Sequence, residues 1–273
     1  VIDLAVEHRM YLPLVCVCVG LTLLLGRLCH RYFRLTVILL LAVSVILGLR
    51  TMVRVQDYRS SLTLWRSVLD AVPNAPRARL HYAQALFDAN RVDQAIEQYH
   101  IGIEHHPDDS RFYHNLGELY LKLGQLSQAR PLLEKALTLM DQDPVYWFNL
   151  AKLDRLEGRI DQALHGYEQT LKLQPDHVGA LSDMADILAM KGHWDEALQR
   201  LDQAQQLAPN QGMLQINRAN ILLRAGRPES ALAAANKAVV MMPYHPAALN
   251  GLASAYAANG QWANALDVFI KLL

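Results

Sequence analysis

The sequence predicts an all-α protein in which an N-terminal transmembrane helical hairpin is followed by a superhelical solenoid of paired helices. Three observations lead to this fold class. Two apolar runs lie within the first 56 residues, a small residue recurs every 34 residues from Ala83 onward, and a Gly or Asn recurs between these positions. Hydrophobic residues make up 52% of the 273 residues and charged residues 19%, so the chain is too apolar to be disordered.

The charge is balanced overall but unevenly distributed. The 26 Lys and Arg match 26 Asp and Glu, so there is no basic surplus of the kind that indicates a nucleic-acid partner. Residues 1–56 carry six arginines against Asp3 and Glu7, whereas residues 57–273 carry 20 basic and 24 acidic residues. Three cysteines are too few for a disulfide scaffold. The contrast indicates two segments of different physical character.

The first segment, residues 1–56, is predicted to lie in a membrane. Its two apolar runs, about residues 10–28 and 35–53, approach the roughly 20 residues that a spanning helix needs. Both are apolar all round, which disfavours the alternative of two buried helices in a soluble domain. Asp3 and Glu7 precede the first run, and a cleaved signal peptide has positive charge there. We therefore expect an integral membrane protein.

The second segment, residues 57–273, repeats with a period of 34. A small residue stands at one position of each unit: Ala83, Gly117, Ala151, Ala185, Ala219 and Ala253. Twelve residues later each unit has an alanine: Ala95, Ala129, Ala163, Ala197, Ala231 and Ala265. Between them lies a residue that tolerates a left-handed backbone at a helix end: Asn90, Gly124, Gly158, Gly192, Gly226 and Gly260. Four residues after the second alanine most units place a large residue on the same helix face: Tyr99, Leu133, Tyr167, Leu201 and Phe269.

These columns resemble the tetratricopeptide repeat (TPR) family. The resemblance implies antiparallel helices A and B in each unit, with apolar faces that only stacked neighbours can bury. The expected units are residues 76–109, 110–143, 144–177, 178–211, 212–245 and 246–273, preceded by a half-repeat helix in residues 57–75. The chain starts with Val1, as a fragment of a longer protein would, and it stops inside a helix B. Two alternatives follow for that end: the chain is truncated there too, or the end docks on something.

A polar column lies two residues before the small residue of each helix A. Its members are His81, Asn115, Asn149, Asp183 and Asn217. An amide side chain donates and accepts at once, so a regular row of amides suits an extended peptide backbone. The column is similar to the asparagine ladder of O-linked N-acetylglucosamine transferases, which implies a concave groove that binds a peptide or protein partner. The alternative is that the amides bridge adjacent helices or cap turns.

A second resemblance concerns residues 7–14, which lead into the first apolar run. They resemble the motif before a late membrane span in multispanning glycosyltransferase-like proteins with C-terminal TPRs, the transmembrane and TPR-containing O-mannosyltransferase-like proteins. The resemblance implies a C-terminal portion of such an enzyme, whose donor is a polyprenyl-phosphate sugar and whose periplasmic or lumenal repeats recruit or orient a protein substrate. Glu7 and Arg9 are then candidates for a donor-phosphate site, or else for an interfacial anchor. The rival interpretation is a non-enzymatic two-span scaffold for envelope or secretion assembly.

The sequence predicts no catalytic constellation, cofactor or metal site within this chain. It has no Gly-rich phosphate loop and no GxSxG motif. His105 and His106 are adjacent, so they point in different directions on a helix. Cys16, Cys18 and Cys29 lack the spacing of zinc ligands. Whether the parent protein is an enzyme stays open.

Overall fold

The computed structural model describes residues 19–20, 23, 37–38, 41–48 and 60–270. Residues 41–48 are helical, and the stretch from Ser60 to Ile270 contains thirteen α-helices and no strand. In chain order the helices are α1 (Ser61–Ala71), α2 (Pro76–Asp88), α3 (Val92–His105), α4 (Ser110–Lys122), α5 (Leu126–Leu139), α6 (Pro144–Leu156), α7 (Ile160–Leu173), α8 (Val178–Met190), α9 (Trp194–Leu207), α10 (Gly212–Arg224), α11 (Pro228–Met241), α12 (Pro246–Ala258) and α13 (Trp262–Ile270). The even-numbered helices are the A helices of the repeats, and the odd-numbered helices from α3 onward are the B helices.

The predicted membrane spans fall mostly outside the described residues. Of residues 10–28 and 35–53, the structure describes only residues 19–20, 23, 37–38 and 41–48. Among the residues that are described, none of the helices combines the length and the apolar character needed to cross a bilayer. The transmembrane hairpin therefore stays a prediction.

The chain divides into two compact units, residues 1–95 and 96–273. In the first unit, α1 begins with a capping box, because the Ser60 hydroxyl accepts from the Thr63 backbone N–H at 3.2 Å and the Thr63 hydroxyl accepts from the Ser60 N–H at 3.3 Å. Helix α2 buries Ala83 and Leu86. Arg79, also buried, donates to the carbonyl of Pro73 and so ties the turn before α2 to that helix.

In the second unit, each helix A packs closely against its own helix B. The small-residue column explains the closeness. At Gly117 of α4 an added Cβ would lie 2.8 Å from Cγ of Leu133 on α5, so no larger residue fits without movement. The alanine column on the B helices is fully buried, as are Leu133, Tyr167 and Leu201 four residues further on. The core therefore lies between the two helices of a pair and the next helix A.

The turns between helices A and B all use a left-handed residue. Its φ is 58° at Asn90 and between 70° and 84° at the five glycines that occupy the same position. After α6, the N–H of Arg159 donates to the carbonyl of Asp154 and the N–H of Gly158 to that of Arg155, which is a Schellman arrangement. The prediction that Gly or Asn ends helix A is confirmed.

The last member of the large-residue column is an exception. Phe269 of α13 was expected on a buried face, but 41% of its surface is exposed, and Trp262 and Ile270 on the same helix are also exposed. In the other repeats the equivalent face is covered by the following helix A. No described residue follows Ile270 to cover α13.

Candidate functional site

The candidate site is the surface formed by successive A helices in the second unit, hereafter the helix-A face. Helix α4 contacts α6, α8 contacts α10 and α10 contacts α12, whereas α6 and α8, like consecutive B helices within residues 96–270, lie too far apart for comparable contacts. At three of the four steps the A helices are therefore the closer-spaced side of the stack, as expected for the inner side of a groove. The polar column occupies the sixth residue of each helix A in this unit.

The first member of the column, His81, belongs to the other unit. It is exposed on α2, and its imidazole stacks on the indole of Trp65 with ring centroids 4.5 Å apart. Trp65 lies on α1, so the stacking joins the half-repeat helix to α2. This contact accounts for the position of His81 by packing between aromatic rings.

Asn115 and Asn149 lie in adjacent repeats and are joined by one histidine. His114, buried on α4, makes a 3.1 Å hydrogen bond between Nδ1 and Oδ1 of Asn115. Nδ2 of Asn149, on α6, donates to Nε2 of the same ring at 2.8 Å. The imidazole also stacks on Tyr146 with ring centroids 4.3 Å apart. Burial lowers the pKa of His114, so the ring is neutral at neutral pH.

Asn217 makes an equivalent link between the fourth and fifth repeats. Its Nδ2 on α10 donates to the hydroxyl of Ser182 on α8 at 2.9 Å. Both Asn149 and Asn217 thus reach back 35 residues, to the side chain immediately before the polar column in the preceding repeat. The column ends at Gly251 on α12, which has no side chain to contribute.

Asp183 interrupts the amides with a charged cluster. Its Oδ2 accepts from the hydroxyl of Tyr167 at 3.1 Å, and burial followed by the charge of Asp183 holds the pKa of that phenol well above its ordinary value. Burial opposes the charge of the Arg155 guanidinium on α6. Asp183 and Tyr167, which face it, nevertheless raise the pKa of Arg155 above its ordinary value. Burial, followed by repulsion from Asp183, raises the pKa of Asp186 one turn along α8.

Several residues of the helix-A face were not identified from the sequence. His114 and Ser182 directly precede the polar column, and Arg155, Asp186 and Arg224 lie further along the A helices. Arg224 donates to the carbonyl of Ala189 at 3.3 Å and lies over the Trp194 ring, 5.6 Å from its centroid. Their position in the repeat could have identified them, because residues at neighbouring positions of a helix A lie on the same face as the polar column.

A separate cavity of about 460 Å³ lies between α5, α6 and α7. Arg130 and Asp154 form one wall, while Trp147 and His165 meet edge to face with centroids 6.1 Å apart. Arg130 and His165 lie on B helices, and Trp147 and Asp154 lie on the side of α6 that faces these B helices.

Among residues that the structure describes, no group of three or more metal-ligating side chains is assembled. His105 is exposed and His106 stacks on Phe112.

Glu7 and Arg9 lie outside the described residues. Their role at a donor phosphate or at a membrane interface therefore stays a prediction.

Comparison with known proteins identifies the repeat. A family model described as tetratricopeptide repeat matches residues 50–99, 83–145 and 216–273, which is more than half of the chain. A second model of the same description matches residues 155–219. The chain belongs to the tetratricopeptide repeat family, and its fold is that of a protein–protein interaction module. No curated protein matches the chain.

Solved structures agree with the fold. A tetratricopeptide repeat protein from Parabacteroides merdae is 20% identical with a TM-score of 0.63, over 72% of this chain and 78% of that one. TTC0263 from Thermus thermophilus is 24% identical with a TM-score of 0.53, over 60% and 90%. YrrB, described as a TPR protein with an unusual peptide-binding site, is 20% identical with a TM-score of 0.54, over 68% and 95%. At these identities the likeness concerns the fold alone.

Proposed function

We propose that the helix-A face binds an extended peptide segment of a partner protein through the polar column Asn115, Asn149, Asp183 and Asn217. The observation that carries this proposal is the regular presentation of unused amide groups. Among the residues that the structure describes, none is hydrogen-bonded to Nδ2 of Asn115 or to Oδ1 of Asn149 and Asn217. Asn115 and Asn217 are half-buried and reach solvent, whereas Asn149 is only 6% exposed.

Free amide groups at equivalent positions of the second, third and fifth repeats suit a ligand with a periodic backbone. An extended chain offers alternating N–H and C=O groups along one edge, and an amide can pair with either. The structural relative YrrB is described as having a peptide-binding site. The likeness to that protein is one of fold, so it supports the class of ligand and not its sequence.

The proposal can be tested with random dodecapeptides displayed on phage and selected against the immobilised full chain at neutral pH. The affinity of a selected peptide is then measured for Asn115→Ala combined with Asn217→Ala. We expect at least about a tenfold loss, because each lost hydrogen bond contributes roughly 1 kcal/mol. Asn149 is left intact because it is only 6% exposed and anchors His114, so its removal would confound binding with stability.

A matched control uses exposed polar residues of the B helices, Glu168→Ala combined with Gln199→Ala. This pair should bind the peptide like the wild type. Unchanged affinity in the Asn115 and Asn217 variant, or an equal loss in the control, would overturn the helix-A face as the binding site. Melting temperatures of all variants identify any loss that is due to unfolding.

We further propose that residues 10–28 and 35–53 tether the repeats to a membrane, with the repeats on the periplasmic or lumenal side. The helical residues 41–48 support this, because their apolar side chains are mostly exposed, including Leu41 and Ile46 at 62% each. Such a surface suits lipid better than water. The glycosyltransferase-like parent remains the preferred context for this arrangement, and the two-span scaffold the rival one.

Topology can be tested in intact cells. Cys16, Cys18 and Cys29 are replaced by Ala, and Asn210→Cys places one thiol at an exposed turn between α9 and α10. Labelling of intact cells by a membrane-impermeant thiol reagent supports repeats outside the cytoplasm. Labelling only after lysis contradicts that side, and release of the chain by carbonate washing contradicts the membrane tether.

A further inference from the structure

His114 has a single protonation state that fits its surroundings. The ring is 5% exposed, and both nitrogens are engaged by the amides of adjacent repeats. Oδ1 of Asn115 can only accept, so Nδ1 must carry the hydrogen. Nδ2 of Asn149 can only donate, so Nε2 must offer its lone pair. The ring is therefore the neutral Nδ1–H tautomer.

This tautomer turns the two amides in opposite directions. Asn115 gives its oxygen to the histidine and leaves its NH₂ group free, whereas Asn149 gives its NH₂ group and leaves its oxygen free. Asn115 is half-buried, whereas Asn149 is only 6% exposed, so a ligand would reach its free oxygen over a small area. Repeats two and three thus present one donor and one acceptor side by side.

We propose that His114 is a positioning residue that holds Asn115 as a donor and Asn149 as an acceptor for one extended peptide backbone, and that protonation of His114 switches this part of the groove off. The inference rests on the proposed peptide-binding function. One imidazole and its hydrogen bonds of 3.1 and 2.8 Å lie between the two amides, a span of the same order as two residues of an extended chain, which rises roughly 3.3 Å per residue. The C=O of one peptide residue and the N–H of the residue two further on lie on the same edge of such a chain.

Protonation of His114 changes which hydrogen bonds its ring can make with Asn149. A charged imidazole donates from both nitrogens, so Nε2–H would face the NH₂ group of Asn149. Either that hydrogen bond breaks or the amide turns round, and both outcomes remove the acceptor from the groove. Ser182, which holds Asn217 in the equivalent position, does not titrate in this range, so the orientation of Asn217 should not change with that of Asn149.

The charges around His114 place this change in mildly acidic solution. Glu118 and Lys122 lie on its own helix, and Asp143 precedes α6, from which the Tyr146 ring stacks on the imidazole. Glu118 and Asp143 favour the proton and Lys122 opposes it, but burial is the largest influence and lowers the pKa of His114. The ring therefore gains its proton only below the ordinary value of about 6.5.

The tautomer is measured directly on the full chain labelled with ¹⁵N at its 11 histidines. His114→Phe, which keeps an aromatic ring against Tyr146, assigns the signal by its disappearance. We expect a neutral Nδ1–H ring at neutral pH and a pKa below about 6.5, with the Asn149 side-chain amide shifting over the same range. An Nε2–H tautomer, or an Asn149 amide that ignores the titration, overturns the proposal.

The consequence for binding is measured with a phage-selected dodecapeptide from about pH 7.5 down through the His114 titration observed by NMR. The affinity of the wild type should fall in step with the protonation of His114, beyond any change in melting temperature. His114→Phe should bind more weakly throughout this range and show no pH dependence. His100→Phe, at an exposed position of α3, should keep the full pH response.

The two proposals fail in different ways. The same pH response in His114→Phe and wild type overturns the role of His114 while peptide binding stands. If the tautomer and the coupling to Asn149 are found but no peptide binds the helix-A face, the proposed function is wrong and His114 is a structural bridge alone.

Discussion

Arg130 of α5 and Asp154 of α6 form an ion pair that joins the second repeat to the third, with Nη2 of Arg130 2.5 Å from Oδ1 of Asp154. The same guanidinium lies 2.6 Å from Oε2 of Glu157, at the end of α6. Asp154 is only 5% exposed. Although burial opposes the charge of Arg130, Glu157 and Asp154 hold its pKa above the ordinary value. The link therefore depends on both charges being present.

We expect Arg130→Leu to lower the free energy of unfolding by about 3 kcal/mol, because a buried carboxylate loses its partner. Urea denaturation of both proteins measures the difference. Arg111→Leu is the control, since Arg111 pairs with Asp109 at 2.7 Å but is half exposed. That control should cost less than about 1 kcal/mol. Equal effects of the two substitutions would contradict a structural role for the Arg130 pair.

Two helical glycines should respond to alanine with opposite signs. At Gly166 on α7 an added Cβ would lie 2.7 Å from Cβ of Ala151 on α6, and a Cβ at Gly251 on α12 would meet nothing within 4 Å. Gly166→Ala should therefore destabilise by about 1–3 kcal/mol through overpacking. Gly251→Ala should stabilise by about 0.5–1 kcal/mol through helix propensity. Thermal melts of the two variants test this, and a gain from Gly166→Ala would refute the close approach of α6 and α7.

The turn glycines should tolerate asparagine better than alanine. Gly192 has a φ of 84°, and a Cβ there would meet no neighbouring atom, so the cost of Gly192→Ala comes from the backbone alone. We expect a loss of about 1–2 kcal/mol in unfolding free energy. Gly192→Asn should lose less, because Asn90 already holds a left-handed conformation at the same repeat position. Chemical denaturation of both variants gives the comparison, and a larger loss for asparagine would count against it.

Asp186 should make stability depend on pH. Burial and then Asp183 raise its pKa in the folded chain, so the folded state binds the proton more tightly than the unfolded state. Its favourable contribution is complete below the unfolded value of about 3.9 and is lost as the pH rises through the folded value. Asp186→Asn should therefore raise the melting temperature at neutral pH, and the gain should vanish towards about pH 4.

The comparison for this prediction is Asp202→Asn, at an exposed residue of α9. Its melting temperature should show no comparable gain at neutral pH. A neutral-pH loss of stability in Asp186→Asn would mean that Arg155 and Arg224 attract the carboxylate by more than burial and Asp183 oppose it.

Much of the repeat fold was predictable because its determinants are local. The recurring Gly or Asn marks the end of each helix A, and the alanine twelve residues after the small residue lies at the buried start of helix B. Phe269 shows the limit of this reasoning. It occupies the column of Tyr167 and Leu201, but burial depends on a neighbouring helix, and none of the described residues covers it.

The candidate site was predictable only in part. The column of amides follows from the period of 34, but His114, which orients two of them, does not stand out in the sequence because the repeats place His, Phe, Ser and Ile at that position. Asn149 and Asn217 each bond to a residue 35 positions earlier. That offset depends on how one helix A is rotated and shifted against the next.

The sequence by itself determined the all-α repeat architecture, the repeat length and the backbone conformation at each turn, because helix periodicity and the left-handed preference of Gly and Asn act within a few residues. Only the tertiary structure decided that His114 meets both Asn115 and Asn149, and that Arg130 meets Asp154. These contacts depend on the distance and rotation between repeats, which arise from the packing of many side chains at once.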